Sequence, residues 1–258
     1  MSRRSVWLTV TVIIAVALVA VVTRQLRVNQ SPPVEPPALQ STSDSADSPP
    51  PESRQESAPE KPTPTPQTLP SPSPPSVQLP VPFLVQAPLG VWDALHEEAC
   101  EEASIIMVAV AKKGQKTISA AEGERMIKES VEWQRARGLG VSITLAEVQR
   151  VAKEHHNLSS RILENPTVEQ LKNELAAGRP VIVPASGRTL GNPYFTPPGP
   201  IYHMLVLIGY DETSFITNDP GTKRGAAYRY RPTVLMKSIH DFVPGDIGLG
   251  PKRVMVLD

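Results

Sequence analysis

The sequence predicts an α+β fold for residues 80–258, and three observations carry that expectation. Helix signals crowd the first half of this region and strand signals the second, instead of alternating. Three Ser or Thr residues stand three positions ahead of a Glu or Gln, which is the pattern of a capping box. Met204-Leu205-Val206-Leu207-Ile208 is apolar without alternation, as a strand covered on both faces must be.

Each element follows from local chemistry. Pro80-Val81-Pro82-Phe83-Leu84-Val85 reads as a short extended segment that proline confines to a sheet edge. Cys100 to about Lys112 is a helix whose apolar residues Ala103, Ile106, Met107 and Val110 share a stripe, with Gly114 as its stop. Ser119 with Glu122 opens a helix through about Arg137, Thr144 with Glu147 one through about Lys153, and Thr167 with Gln170 one ending at Gly178. Pro180–Pro184, Met204–Ile208, Ser214–Thr217 and Lys252–Leu257 are strand-like runs. The long Gly- and Pro-rich stretch from Ala185 to Tyr202 is a loop of the kind that often covers a site.

Upstream, the composition changes twice. Val6 to Thr23 is an uncharged apolar run, and at about 1.5 Å per residue it nearly crosses a hydrocarbon core of about 30 Å. We read residues 1–28 as a retained membrane anchor, with a cleaved signal peptide as the alternative. Residues 29–79 are dominated by Pro, Ser, Thr, Glu and Gln, too poor in apolar surface to offset the entropy of ordering, and read as a disordered stalk. Residues 80–258 then form the globular domain, expected outside the cytoplasm. The 26 basic and 26 acidic residues balance, so no electrostatic footprint for nucleic acid is expected.

The chemistry begins at Cys100, the single cysteine of the 258 residues. A lone thiol in an exported domain is either a nucleophile or a small buried hydrophobe. A helix N-terminus favours its thiolate, while Glu101 and Glu102 oppose it if they point at the sulfur. The candidate bases are His96, His155, His156, His203 and His240. His155 and His156 fall at a helix C-terminus, where a cation suits the dipole. His203 begins the apolar strand, and a turn near Asp211 and Glu212 pairs it with about residue 219 or 220. That register sets Asp219 beside the imidazole it could orient, although Asn218-Asp219-Pro220-Gly221 also reads as a plain turn. The cluster His96-Glu97-Glu98 does not match metal-ligand spacing, and neither a metal nor a cofactor is expected.

Five segments in order resemble the papain-like cysteine peptidases related to the double-glycine leader peptidases. They are Pro82–Pro88, Trp92-Asp93, Ala99-Cys100-Glu101-Glu102-Ala103-Ser104, Tyr202–Asp211 and Thr217–Thr222. The resemblance implies a papain-like fold with Cys100 as nucleophile, His203 as general base, Asp219 as its orienting partner and Gln86 as a donor to the oxyanion. It implies a peptide or protein substrate. The best-known relatives are cytoplasmic and fused to an export ATPase, but this sequence has no Walker-type loop. The expectation is therefore a membrane-anchored extracytoplasmic thiol peptidase. The alternatives are an amidase or transpeptidase acting on cell-wall peptides, and a non-catalytic peptide-binding module.

Overall fold

The computed structural model describes residues 74–258, so the expected anchor and most of the expected stalk lie outside the described residues. Helix α1 spans Cys100–Lys112, α2 Ala120–Arg135 and α3 Leu145–Glu154. Thr144 closes a full capping box with Glu147, and Thr167 does the same with Gln170 at the start of α4, Val168–Ala176. Ser119 makes only half of one, its oxygen accepting the Glu122 N–H. Two short helices follow, α5 at Gly187–Leu190 inside the long loop and α6 at Pro232–Ser238.

The strands are β1 Val77–Gln78, β2 Ser160–Glu164, β3 Val181–Ala185, β4 His203–Tyr210, β5 Phe215–Asn218, β6 Tyr228–Tyr230 and β7 Arg253–Leu257. They form one antiparallel sheet in the order β2-β7-β3-β4-β5-β6. β1 pairs with the last two residues of β4, so the sheet reaches upstream of Pro80. The edge strand expected at residues 80–85 is not formed. Pro80 and Pro82 have no N–H to give a ladder, and the pairing falls to Val77 and Gln78 instead.

The apolar run of β4 is explained by helices on both faces. Met204, Val206 and Ile208 pack with Ile105, Ile106 and Met107 of α1. Leu205 and Leu207 pack with Leu171 and Leu175 of α4 and with Leu235 of α6. Tyr210 should share the face of Ile208, yet it lies in the second cluster. The register shift between Leu207 and Gly209 supplies the cause, since one extra residue reverses the alternation beyond it.

Helix α1 is not amphipathic. Every residue from Cys100 to Val110 is buried, including Glu101 and Glu102, so the stripe expected from the sequence is a full cylinder. Burying a side chain such as Ile106 contributes about 1.5–3 kcal/mol, and the helix is the hub that α2, α3 and β4 share. The histidine pair at the end of α3 also departs from expectation. His156 is held neutral, its pKa pushed down to about 4 by burial and by the charges of His155 and Lys113. Burial here outweighs the attraction of the helix C-terminus for a cation.

Candidate active site

The N-terminus of α1 and the start of β4 meet at one cavity of about 670 Å³, lined by Cys100, Glu101, Gln86, Tyr202 and His203 among others. The adjacency is built by the core: α1 packs along β4 through the Met204 side of the strand. The Met204 backbone N–H reaches the Cys100 sulfur and favours its ionised form.

The histidine is held from behind. His203 Nε2 donates to Asp219 Oδ1 at 2.7 Å, and both residues are fully buried. Burial pushes the Asp219 carboxyl up. The charge of His203, with hydrogen bonds from His203, Tyr230 and the Gly221 N–H, outweighs it and holds the carboxyl below its usual range. An ionised Asp219 fixes the proton on Nε2, which leaves the Nδ1 lone pair free in the neutral ring. The second oxygen of Asp219 accepts from Tyr230 Oη at 2.6 Å and from Asn192 Nδ2 at 3.1 Å. Phe195 stacks edge-on to the imidazole, with ring centroids 5.2 Å apart.

The hairpin brings His203 and Asp219 together, with a small displacement from the expected register. Continuing the observed pairing of Val206 with Asn218 sets Gly221, not residue 219 or 220, opposite His203. A Cβ on Gly221 would stand 2.8 Å from His203 Cε1, so glycine is required at this close approach. Neither Asn192 nor Tyr230 was singled out by sequence. Asn192 sits in a Gly-Asn-Pro turn pattern, and Tyr228-Arg229-Tyr230 is too short an alternation to mark a strand.

The thiol is in an unexpected state. Cys100 is 5% exposed, and its Sγ donates to Glu101 Oε2 at 2.9 Å. Burial raises the thiol pKa well above the ordinary value, and the carboxylates of Glu101 and Glu102 add to the rise. Of the opposed influences read from the sequence, the two acids, joined by desolvation, prevail over the helix N-terminus. Both acids are themselves pushed up, each chiefly by its own burial, and Glu101 further by the charge of Glu102. Glu101 Oε1 accepts from the Ile143 N–H at 3.4 Å, while Gln134 donates to Glu102 on the far side of the helix.

Gln86 lines the same cavity but its amide is committed elsewhere. Nε2 donates to the carbonyls of His96 at 2.8 Å and Glu97 at 3.0 Å, and the buried Oε1 has no partner among the described residues. Two carbonyls can be served only by the NH2 end, which fixes the amide orientation. The donor role expected of Gln86 therefore needs the amide turned from this position.

The other histidines have structural partners. His96 bridges Asp93 at 2.7 Å and Glu124 at 3.0 Å, and His240 Nδ1 meets the Gly250 carbonyl at 2.9 Å. His155 stacks with Trp133 and with His156. Among the described residues, no group of three His, Cys, Asp or Glu is placed to hold a metal ion.

An α+β domain that sets a cysteine at a helix start beside a histidine–carboxylate pair at a strand end belongs to the papain-like class. Residues 78–240, more than half of the chain, match the sequence model of the Peptidase_C39 like family, and the chain belongs to that family. A C39-like protein from Bacillus anthracis, solved by crystallography, is 16% identical. That similarity covers 71% of this chain and 97% of the other, with a TM-score of 0.47. No curated protein matches the chain.

Proposed function

We propose that this chain is a cysteine peptidase in which Cys100 is the nucleophile, His203 the base and Asp219 the group that orients it. The observation that carries the reading is the buried His203–Asp219 pair, 2.7 Å apart, opening on the cavity that Cys100 also lines. His203 Nδ1 takes the thiol proton as Sγ attacks an amide carbonyl. The same proton then goes to the leaving amine, and water resolves the thioester. Asp219 stays ionised and stabilises the imidazolium, as its depressed pKa and four donors favour. The oxyanion is assigned to the N–H groups at the start of α1, where negative charge is favoured, with the Gln86 amide joining only if it turns.

The resting thiol is neutral and bonded to Glu101, so attack requires Glu101 to carry its proton or to let go of the sulfur. The raised pKa of Glu101 supports the first route, since burial keeps that carboxyl protonated far above the usual carboxylate range.

From the apolar run at 6–23 we further infer a single-pass anchor, with the peptidase domain outside the cytoplasm. Among the described residues no helix is long and apolar enough to cross a membrane. A reporter fused after Asp258 should be active only outside the cytoplasm. For the chemistry, wild-type protein should release product from a fluorogenic peptide library, while Cys100→Ala and His203→Ala, folded by circular dichroism, should not. Product analysis with an added amine separates hydrolysis from transfer onto a second peptide. Equal turnover by wild type and Cys100→Ala would end the peptidase reading.

A further inference from the structure

The walls of the cleft carry charge that the chain leaves unmatched, and that charge describes what the cleft holds. The inference rests on the peptidase reading and deepens it. Glu97 and Glu98 are exposed at the rim of the cavity, with Glu101 buried beneath them. Among the described residues none of the three has a Lys or Arg within ion-pair distance. Acids elsewhere do: Glu124 meets Lys128 at 2.8 Å, and Glu174 meets both Arg161 and Arg179 at 2.6 Å. Among the described residues no Lys or Arg lines this cavity.

A second, independent feature of the same wall asks for a donor. Gln86 is 4% exposed, lines the cavity, and keeps Oε1 without a partner among the described residues. A buried carbonyl oxygen in that position bears the full cost of its lost hydration until an N–H meets it. The two carbonyls that hold Nε2 prevent the amide from relieving the cost by turning over.

Across Trp92, Thr196 and Gly221 the cavity adjoins a recess of about 320 Å³ of opposite character. Its charged lining is Lys223 and Arg224, both exposed. Arg224 lies over the Tyr194 ring at 4.8 Å, and neither cation has an acidic partner among the described residues. Gly221, which belongs to both walls, stands against the His203 ring. The sign of the charge therefore changes beside the catalytic histidine.

We propose that the cleft selects peptides of split charge. An ammonium or guanidinium group seats against Glu97 and Glu98, with the Gln86 oxygen buried behind them, and a carboxylate seats against Lys223 and Arg224, with the scissile bond between them. Exposed ion pairs are individually weak, so each end contributes up to about fivefold and the two together on the order of tenfold. Screening should erode the preference, because the Debye length falls to about 3 Å at 1 M salt.

The test uses full-length Cys100→Ala protein and fluorescence anisotropy with labelled peptides of one length. One peptide is basic then acidic, one acidic then basic, one neutral and one wholly acidic. One of the two split-charge peptides should bind about tenfold tighter than the neutral one, and less so at about 1 M salt. The added substitutions E97Q and E98Q should remove the share due to the basic group, and K223Q with R224Q the share due to the acidic one. Equal binding of all four peptides, or a preference untouched by both pairs of substitutions, would overturn the proposal. Wild-type protein given the same peptides tests the other reading separately. Charge-selective binding without cleavage defeats the peptidase reading alone, whereas cleavage without charge preference defeats only this one.

Discussion

Replacing Glu101 by Gln removes a carboxylate from the Cys100 sulfur while nearly keeping the side chain's shape. In the wild type the thiol and the carboxyl share a hydrogen bond of 2.9 Å, so they titrate as a pair. The first proton leaves the carboxyl, and the second must then leave a thiol facing a negative charge. Two unit charges at 2.9 Å repel by about 6 kcal/mol at an effective dielectric of about 20. The carboxylate spreads its charge over two oxygens and both side chains can shift, so the full figure is a ceiling. A quarter of it, about 1.4 kcal/mol, still corresponds to tenfold more thiolate. Glu101 loses its proton only near pH 8, so the Glu101→Gln protein should be alkylated by iodoacetamide at least tenfold faster than wild type at about pH 9, with the difference shrinking below pH 8. The rate is read by mass spectrometry of the Cys100 peptide, with circular dichroism to confirm the fold. Equal or slower alkylation in folded variant protein would refute the claim that Glu101 controls the ionisation of this thiol.

Four further outcomes are expected. Gly221→Ala would place its Cβ 2.8 Å from both His203 Cε1 and Phe195 Cε1, so kcat should fall at least tenfold while thermal unfolding shifts only a few degrees; unchanged kcat would show that the imidazole yields freely. Tyr230→Phe deletes the 2.6 Å donor to Asp219, which should destabilise the domain by about 1–3 kcal/mol in urea titration. Gln86→Ala should lower the unfolding temperature and reduce kcat by less than about tenfold, because both amide protons serve backbone carbonyls; a loss of about 10²–10³ with normal stability would mean that the amide turns to the oxyanion. His156, with its pKa pushed to about 4, binds a proton in the unfolded chain near pH 6.5 before it does so in the fold. Its stabilising contribution is present above pH 6.5 and lost on acidification toward 4, by about 2 kcal/mol at pH 5, and His156→Leu should flatten that slope in urea titrations.

What the sequence revealed, and what it hid, divides along physical lines. The caps at Ser119, Thr144 and Thr167 were legible because a hydroxyl three residues before a Glu or Gln acts locally. The pairing of His203 with Asp219 was legible because a hairpin turn fixes register over a short span. The one- or two-residue offset came from the turn, which centres between Glu212 and Thr213 instead of Asp211 and Glu212, and the bulge between Leu207 and Gly209 takes one residue of the shift back; neither leaves a mark in an apolar run. The edge strand Ser160–Glu164 escaped notice because its half-buried residues alternate weakly. Least legible was the burial of Glu101 and Glu102. Acids in a first helical turn ordinarily face water, and only the packing of α1 on all sides turns them inward.

The way the chain enters the domain has a mechanical consequence. β4 runs from His203 at the cleft to Tyr210, and β1 is laid on the Tyr210 end, about 25 Å away at the usual rise per residue. From there the chain travels back toward the cleft, gripped by Asn218 at Val81 and Pro82 and by the Pro220 carbonyl at the Gln86 N–H. Tension applied ahead of residue 77 would meet these attachments in sequence. It would free the Pro74 carbonyl from Tyr210 Oη, peel two residue pairs from Gly209 and Tyr210 and the Leu79 N–H from the Ile208 carbonyl, then work against the Asn218 amide, and only afterwards reach Gln86 and the active centre. Under such a load this short strand would yield first, before the thiol and its histidine were disturbed.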